Sequence, residues 1–537
     1  MNTKITLLLL AFLSVFTVNA QDFQVFDIHP SGNSEPVFFT EYDGKLYFAA
    51  DDGIHGNELW YTDGSISGNQ MLKDINPAGN TSLIEFEVFN GKLYFTANDD
   101  ISGWELWVTD GTTAGTQLLK DISGEPGGSV PSYLIEFNNQ LYFSAYDNIN
   151  GRELWVTDGT TAGTQMVKNI HLNGSSNPSN FKIFDNKLYF TANDGINGNE
   201  LWVTNGTTLG TQLLKTINPA GDSNPTGFTA YNGKLYFSAN DGSNGRELWV
   251  TDGTTSGTYM VKDINPIGNS SAAQFTVYNG KLYFRANNGT NGFELWESDG
   301  SAAGTQLFLD ITNFIINGEP FSTYPKNFTE YNGKLYFNGG YGRILFVTDG
   351  TVAGTQEVKT INTSTGSSTI TGSLENFNVY NNRIYFTAND GTNGLELWES
   401  DGTPEGTQKI APDISPNSNP LPEFPFLTVF QNSLYFSANF NGAGLEPWKL
   451  TTEVLNIEDV DYDQFSFYPN PVKDVLHLKS AESINQVTIV DMLGKIVYQN
   501  SFDSNTVNIS IEDLSQALYV VKIKIQNKVK TIKISKS

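Results

Sequence analysis

The sequence contains no cysteine. That excludes disulfides, thiolate metal ligands and a cysteine nucleophile. Histidine is nearly absent: His29, His55, His171 and His477 are the only four in 537 residues. They fall at unrelated positions, so the pattern offers neither a His-x-x-x-His metal pair nor a Ser/His/Asp nucleophile elbow. Positive charge is scarce. Lysine and arginine total 31 against 58 acidic residues, for a net charge of −27 at pH 7. Such a polyanion repels phosphate backbones, which excludes nucleic acid as a partner. Beyond the N-terminus no apolar run approaches the length of a membrane span, so no transmembrane helix is expected in the mature chain.

The one apolar run has the form of an address. Lys4 precedes apolar residues 5–16, and Val18-Asn19-Ala20 places small residues where a signal peptidase reads. Residues 1–20 are therefore expected to be a signal peptide, with Gln21 as the new N-terminus. Aromatic residues are plentiful, with 36 Phe, 24 Tyr and 9 Trp, and a chain so rich in them is expected to fold.

Most of the chain is one unit repeated nine times. The tripeptide Leu-Tyr-Phe begins at Leu46, Leu93, Leu141, Leu188, Leu235, Leu282, Leu335, Ile384 (as Ile-Tyr-Phe) and Leu434. Glu-Leu-Trp follows in nearly every copy, with Trp60, Trp107, Trp155, Trp202, Trp249, Trp296, Trp398 and Trp448. One copy reads as four short strands at 228–231, 234–240, 247–251 and 258–264, with Asn232-Gly233 as a hairpin turn. Leu235 and Phe237 face one way and Tyr236 the other, so both faces of the sheet carry large apolar groups. A sheet with one wet face would alternate apolar with polar. The expected fold of residues 21–450 is thus all-β, a nine-repeat β-propeller of four-stranded blades. Residues 23–28 match a fourth strand with no first strand before them. Residues 446–450 are a third strand with no fourth after them. The two ends are expected to complete one blade and close the ring.

Recurrent acids invite a binding reading. The first row is the aspartate of the loop before Glu-Leu-Trp: Asp52, Asp99, Asp147, Asp194, Asp241 and Asp390. Oxygen ligands on glycine turns are Ca²⁺ chemistry. Asn288 and Phe440 replace the acid in two copies, however, and the order lacks the alternating acids of an EF-hand. Turn formation is the expected role, and no cofactor is required. The second row, Asp63, Asp110, Asp158, Asp252, Asp299, Asp349 and Asp401, opens an Asp-Gly turn. Asn205 stands there once, which keeps the turn and drops the charge, so backbone capping is expected. The tryptophans are expected in the core between blades rather than on a glycan platform. No catalytic, metal or cofactor-binding residue is assigned. The seventh copy departs from the rest: at 336–346 it loses the Glu and the Trp, and its flanking connections are long and polar. Irregular loops on a rigid scaffold commonly carry binding.

Glu-Leu-Trp-Val-Thr-Asp-Gly-Thr-Thr-Ala-Gly-Thr at 153–164 resembles the ELWxxDGT repeat of secreted bacterial proteins. The resemblance implies a secreted repeat protein and carries no chemistry.

Residues 451–466 form an acidic connector, and the rhythm then changes. Short strands are expected at 475–478, 487–490, 495–498, 518–525 and 529–534. From Lys473 on there are nine lysines and six acids, a net of +3; with Lys4 set apart, residues 21–472 carry −31. Tyr468-Pro469-Asn470-Pro471, the turn ending in Asp491, Gly494 and Lys495, and the Tyr519 strand resemble the type A C-terminal sorting domain of type IX secretion. Ala517 departs from the glycine usual before that tyrosine. The resemblance implies that residues 467–537 form a small Ig-like β-sandwich that engages the type IX machinery. It also implies passage across the outer membrane, followed by surface attachment or release. The expected function is that of a secreted or cell-surface, non-catalytic binding protein for an extracellular glycan or protein. The alternative is a propeller-based polysaccharide lyase or glycoside hydrolase.

Overall fold

The computed structural model describes residues 19–310, 315–316, 319–320, 322–363, 374–392, 394–410, 426–440, 442, 444–454, 465–491, 495–525 and 528–537. The expected signal peptide lies outside them save for its last two residues, as do most of the acidic connector and Gly494. Among the described residues no helix is long and apolar enough to cross a membrane. Two compact units are present, one of residues 24–449 and one of residues 1–23 with 450–537.

The large unit is built from four-stranded antiparallel sheets, nine of them among the described residues. A representative sheet runs Thr226–Tyr231, Lys234–Asn240, Arg246–Thr251, Tyr259–Lys262, in chain order. Leu235 pairs with Thr251 and Phe237 with Trp249. Both faces are buried: Leu235, Phe237, Leu248 and Val250 expose nothing, and Tyr236 exposes 2%. This burial is what large apolar groups on alternate positions require of a sheet.

Eight sheets use four consecutive strands. The ninth joins Thr428–Phe430, Ser433–Ala438 and Glu446–Val454 to Asn19–Val25, the first strand of the chain. Just past that strand, the Phe26 amide donates to the Pro447 carbonyl at 2.9 Å. The first strands of the first eight sheets touch one another in sequence order, the eighth reaches the ninth through Asn378 Nδ2 to Leu427 O at 3.1 Å, and Thr428–Phe430 returns to Val37–Tyr42. Tyrosines at the ends of five of these strands bond across to the next sheet: Tyr42 to Gly91 O, Tyr231 to Gly280 O, Tyr278 to Gly333 O, Tyr331 to Asn382 O and Tyr380 to Asn432 O, all within 2.6–2.8 Å. Gln431 Nε2 donates to Gly44 O at 3.2 Å, from the last sheet back to the first.

In the small unit, Val475–Val490 is one long strand. Two strands were expected there, separated by the polar stretch 479–486. Ile496–Ser510 pairs along it through three register shifts and carries the backbone across the polar stretch. Ser466–Tyr468 and Leu518–Ile525 share the opposite edge, and Lys528–Ser535 follows. The core includes Val472, Leu476, Leu478, Val487, Ile489, Val521 and Ile523.

Candidate functional site

The glutamate of Glu-Leu-Trp is the most buried acid in the repeat. Glu58, Glu105, Glu153, Glu200 and Glu247 expose nothing. Each reaches the loop that follows its own fourth strand. Glu200 accepts from the Ile217 amide at 2.8 Å, the Asn218 amide at 3.0 Å and Ser223 Oγ at 2.6 Å. Glu446 does the same across the chain ends, taking the Ile28 amide at 2.9 Å and the Ser34 amide at 3.1 Å. Burial raises these carboxyls above their ordinary range, Glu58 to about 7. Sequence reasoning passed over this residue. Its recurrence before Leu-Trp was the available signal.

The first aspartate row holds its own loops. Asp194 Oδ1 accepts the Ile196 and Asn197 amides at 2.9 and 2.7 Å, and Oδ2 accepts Asn197 Nδ2 at 2.7 Å. Burial opposes its ionisation, but these hydrogen bonds hold it below the ordinary carboxylate range. Asp52, Asp99, Asp147, Asp241 and Asp390 accept equivalent amides. In the first copy His55 Nδ1 meets Asp52 Oδ2 at 2.8 Å. Among the described residues no group of three or more His, Asp or Glu side chains is placed to hold a metal ion.

The second row opens a latch between sheets. Asp252 Oδ1 accepts the Thr254 amide at 2.9 Å and its hydroxyl at 2.7 Å, and Thr254 Oγ1 accepts the Gly257 amide at 2.9 Å. A Cβ on Gly257 would lie 2.0 Å from Asp252 Oδ1, so only glycine fits. Thr255 Oγ1 then donates to the Leu214 carbonyl of the preceding sheet at 2.8 Å, and Lys215 Nζ returns a bond to Thr258 O at 2.5 Å. Asn205 accepts from Thr207 in the same way. Seven of the tryptophans, Trp107, Trp155, Trp202, Trp249, Trp296, Trp398 and Trp448, expose only 4–7%. Trp107 packs on Tyr47, Leu59 and Leu72 of the preceding sheet, as core and not as platform.

The expected sorting residues occupy the small unit's ends and edges. Tyr468 is 56% exposed and stacks on His477 at 5.0 Å. Both X-Pro bonds, Tyr468-Pro469 and Asn470-Pro471, are cis. Asn470 acts as a strand surrogate: its Oδ1 accepts the Ser535 amide at 2.8 Å and its Nδ2 donates to Lys533 O at 3.1 Å. Asp491 and Lys495 close their turn through Lys495 N to Asp491 Oδ1 at 2.9 Å. Tyr519 is 3% exposed, and its hydroxyl donates to Ser515 O at 2.9 Å. Asp491, Asp513, Leu514, Ala517, Leu518 and Tyr519 help line a concavity of about 490 Å³.

A family model described as "Secretion system C-terminal sorting domain" matches residues 466–537. Those residues are a type IX sorting domain. The sorting domain makes this a secreted or cell-surface protein with the type IX machinery as partner. No curated protein matches the chain. Among solved structures it is similar to the extracellular domain BT4673 of B. thetaiotaomicron, at 12% identity over 95% of this chain and 76% of that one, TM-score 0.35. It is also similar to PorZ, a surface component of the type-IX secretion system of Porphyromonas gingivalis, at 13% over 94% and 86%, TM-score 0.23. A prolyl endopeptidase structure matches at 10% over 94% of this chain and 56% of that one, TM-score 0.38. At these scores none of the three carries a functional argument.

Proposed function

We propose that residues 21–450 form a single nine-bladed β-propeller that binds an extracellular glycan or protein without catalysing a reaction. Type IX secretion delivers it through residues 467–537, a module of Ig-like β-sandwich form. The observation that carries this reading is the cyclic order of sheet contacts, from the first sheet through the ninth and back. Stacking sheets in a closed ring buries their faces, leaves only short, protected edges and yields a broad, rigid surface. The non-catalytic half rests on the acids. Among the described residues the recurrent carboxylates are engaged by loop amides and hydroxyls, which speaks against their serving as a general acid and base. A glycan array with the purified mature chain, run beside a reducing-sugar release assay, tests both halves. Binding without release is expected; release of reducing ends would establish the lyase or hydrolase alternative.

Deleting residues 467–537 is expected to leave the protein in the periplasm. Normal surface appearance of that truncation would refute the delivery route. The fold is also proposed to need no metal, because the loop aspartates are satisfied by their own backbone. Melting in excess chelator and in millimolar Ca²⁺ should give midpoints within a few degrees. A rise of more than about 10 °C with Ca²⁺ would amount to several kcal/mol and would turn the turn residues into ligands.

A further inference from the structure

Arginine in the large unit usually serves the backbone. Arg152 Nη1 donates to Val130 O at 2.9 Å and its Nη2 to Ser129 O at 3.1 Å; Arg246 repeats this with Asn224 O at 2.9 Å and Ser223 O at 3.3 Å. Arg285 differs. It occupies a second-strand position that holds Ala49, Thr96, Ser144, Thr191, Ser238, Asn338, Thr387 or Ser437 in the other copies. Among the described residues its guanidinium has no hydrogen-bond acceptor and no carboxylate, and Nε is buried without a partner. Unlike Arg152 and Arg246, which have backbone carbonyls for acceptors, this half-buried cation has neither a carbonyl nor a carboxylate among the described residues.

Its neighbours are aromatic. The guanidinium carbon lies 5.4 Å from the centre of the Phe293 ring and 5.6 Å from that of Tyr324. Phe293 and Tyr324 stack at 4.7 Å with 34° between planes, and Tyr324 and Tyr341 at 4.9 Å with 35°. The result is a fan of three rings, each half-buried. Tyr341 comes from the irregular seventh copy, and Tyr324 from the connection leading into it. Both tyrosines have left-handed backbones, with φ of 52° at Tyr324 and 59° at Tyr341. The Tyr324 conformation belongs to the repeat, since Val130, Asn177, Asn224 and Ser271 share it at the equivalent position; what differs here is that a large aromatic ring occupies it. The Tyr324 amide, bonded to Phe293 O at 3.0 Å, holds it in place.

Aromatic faces receive the C–H faces of sugar rings, and a guanidinium without a partner is complementary to a planar anion. We propose that Arg285, Phe293, Tyr324 and Tyr341 form a binding site for an acidic oligosaccharide, its sugar rings against the aromatic fan and a carboxylate or sulfate ester on Arg285. This deepens the glycan half of the proposed function and rests on it. The overall negative charge does not forbid such a ligand, because at physiological ionic strength charges beyond about 8 Å are largely screened while the contact pair is not.

The test uses the mature full chain and three tetrasaccharide probes in titration calorimetry: tetragalacturonate, a sulfated carrageenan fragment and neutral maltotetraose. At least one acidic probe is expected to bind ten-fold or more tighter than maltotetraose, and which one separates uronate from sulfate recognition. Arg285→Gln should abolish that preference, and Tyr341→Ala should weaken the acidic probe at least ten-fold. Melting curves confirm that both variants fold. If Arg285→Gln does not, Arg285→Lys, which keeps the charge and loses the fork, should weaken the acidic probe several-fold. Equal binding of neutral and acidic probes overturns the site, as does unchanged binding by the variants or no binding of either acidic probe. A neutral array ligand retained by both variants would leave the glycan-binding reading standing while this site fails. An array without any glycan ligand would remove both.

Discussion

A chain lacking residues 21–28 is expected to lose the strand that completes the ninth sheet and to self-associate. Phe26 is 2% exposed and stacks on Tyr435 at 5.9 Å, within a cluster that includes Phe39, Leu46, Phe48 and Phe430. Ile28 is 8% exposed, and its amide is one of the donors that Glu446 accepts. Removing the strand exposes this apolar surface, leaves the Glu446 carboxylate short of a donor, and frees the backbone of Glu446–Val454 along one edge. A long unpaired edge recruits other chains. Size-exclusion chromatography should show dimers or larger species, with a melting midpoint at least 10 °C below that of the intact chain. The milder Phe26→Ala should cost about 3–5 kcal/mol. At roughly 2 cal/mol/K per residue, that is a drop of about 3–6 °C in a unit of this size. A monomeric deletion variant with an unchanged midpoint would show that the ends are not what closes the structure.

Glu200→Ala should destabilise the large unit by a similar amount, although the side chain touches no surface. It strands two buried amides and one hydroxyl, at about 1–3 kcal/mol for each group left without an acceptor. The expected total is roughly 3–5 kcal/mol, read as a midpoint lowered by about 3–6 °C. Glu200→Gln keeps one acceptor oxygen and should lose less. The same row sets a pH dependence. A carboxyl raised by folding binds its proton more tightly in the native state, so its contribution is fully present below the unfolded value near 4.5 and falls as pH rises through the folded one. For Glu58 that window runs from about 4.5 to about 7. The turn aspartates act in the opposite sense. Asp110, Asp158 and Asp252 are held low by hydrogen bonds from the following threonine, and their contribution disappears only as pH falls below the ordinary aspartate value. The midpoint is therefore expected to be highest near pH 5 and lower at pH 8, with Glu58→Gln flattening the slope. A midpoint that rises steadily from pH 5 to pH 8 would mean that the buried glutamates are ionised throughout.

The all-β class and the pairing of the two chain ends were legible in the sequence. Alternation with period two is a local property, and a nine-fold repeat displays it nine times. The sorting module was legible for a related reason: Asp491 and Lys495 close a local turn, so their spacing survives as a motif. What the tertiary structure alone decided depends on contacts far apart in the chain. The glutamate of Glu-Leu-Trp finds its donors 17 to 23 residues later, in a loop that recurs in several copies but lies beyond the reach of strand alternation. The threonine and lysine latches join positions 41 and 43 residues apart in neighbouring sheets. The continuous strand Val475–Val490 crosses a polar stretch only because Ile496–Ser510 pairs along it. The fan around Arg285 gathers residues from two sheets and the connection between them. Local pattern reports which residues face the same way. Which of them meet is decided when one sheet is set against the next.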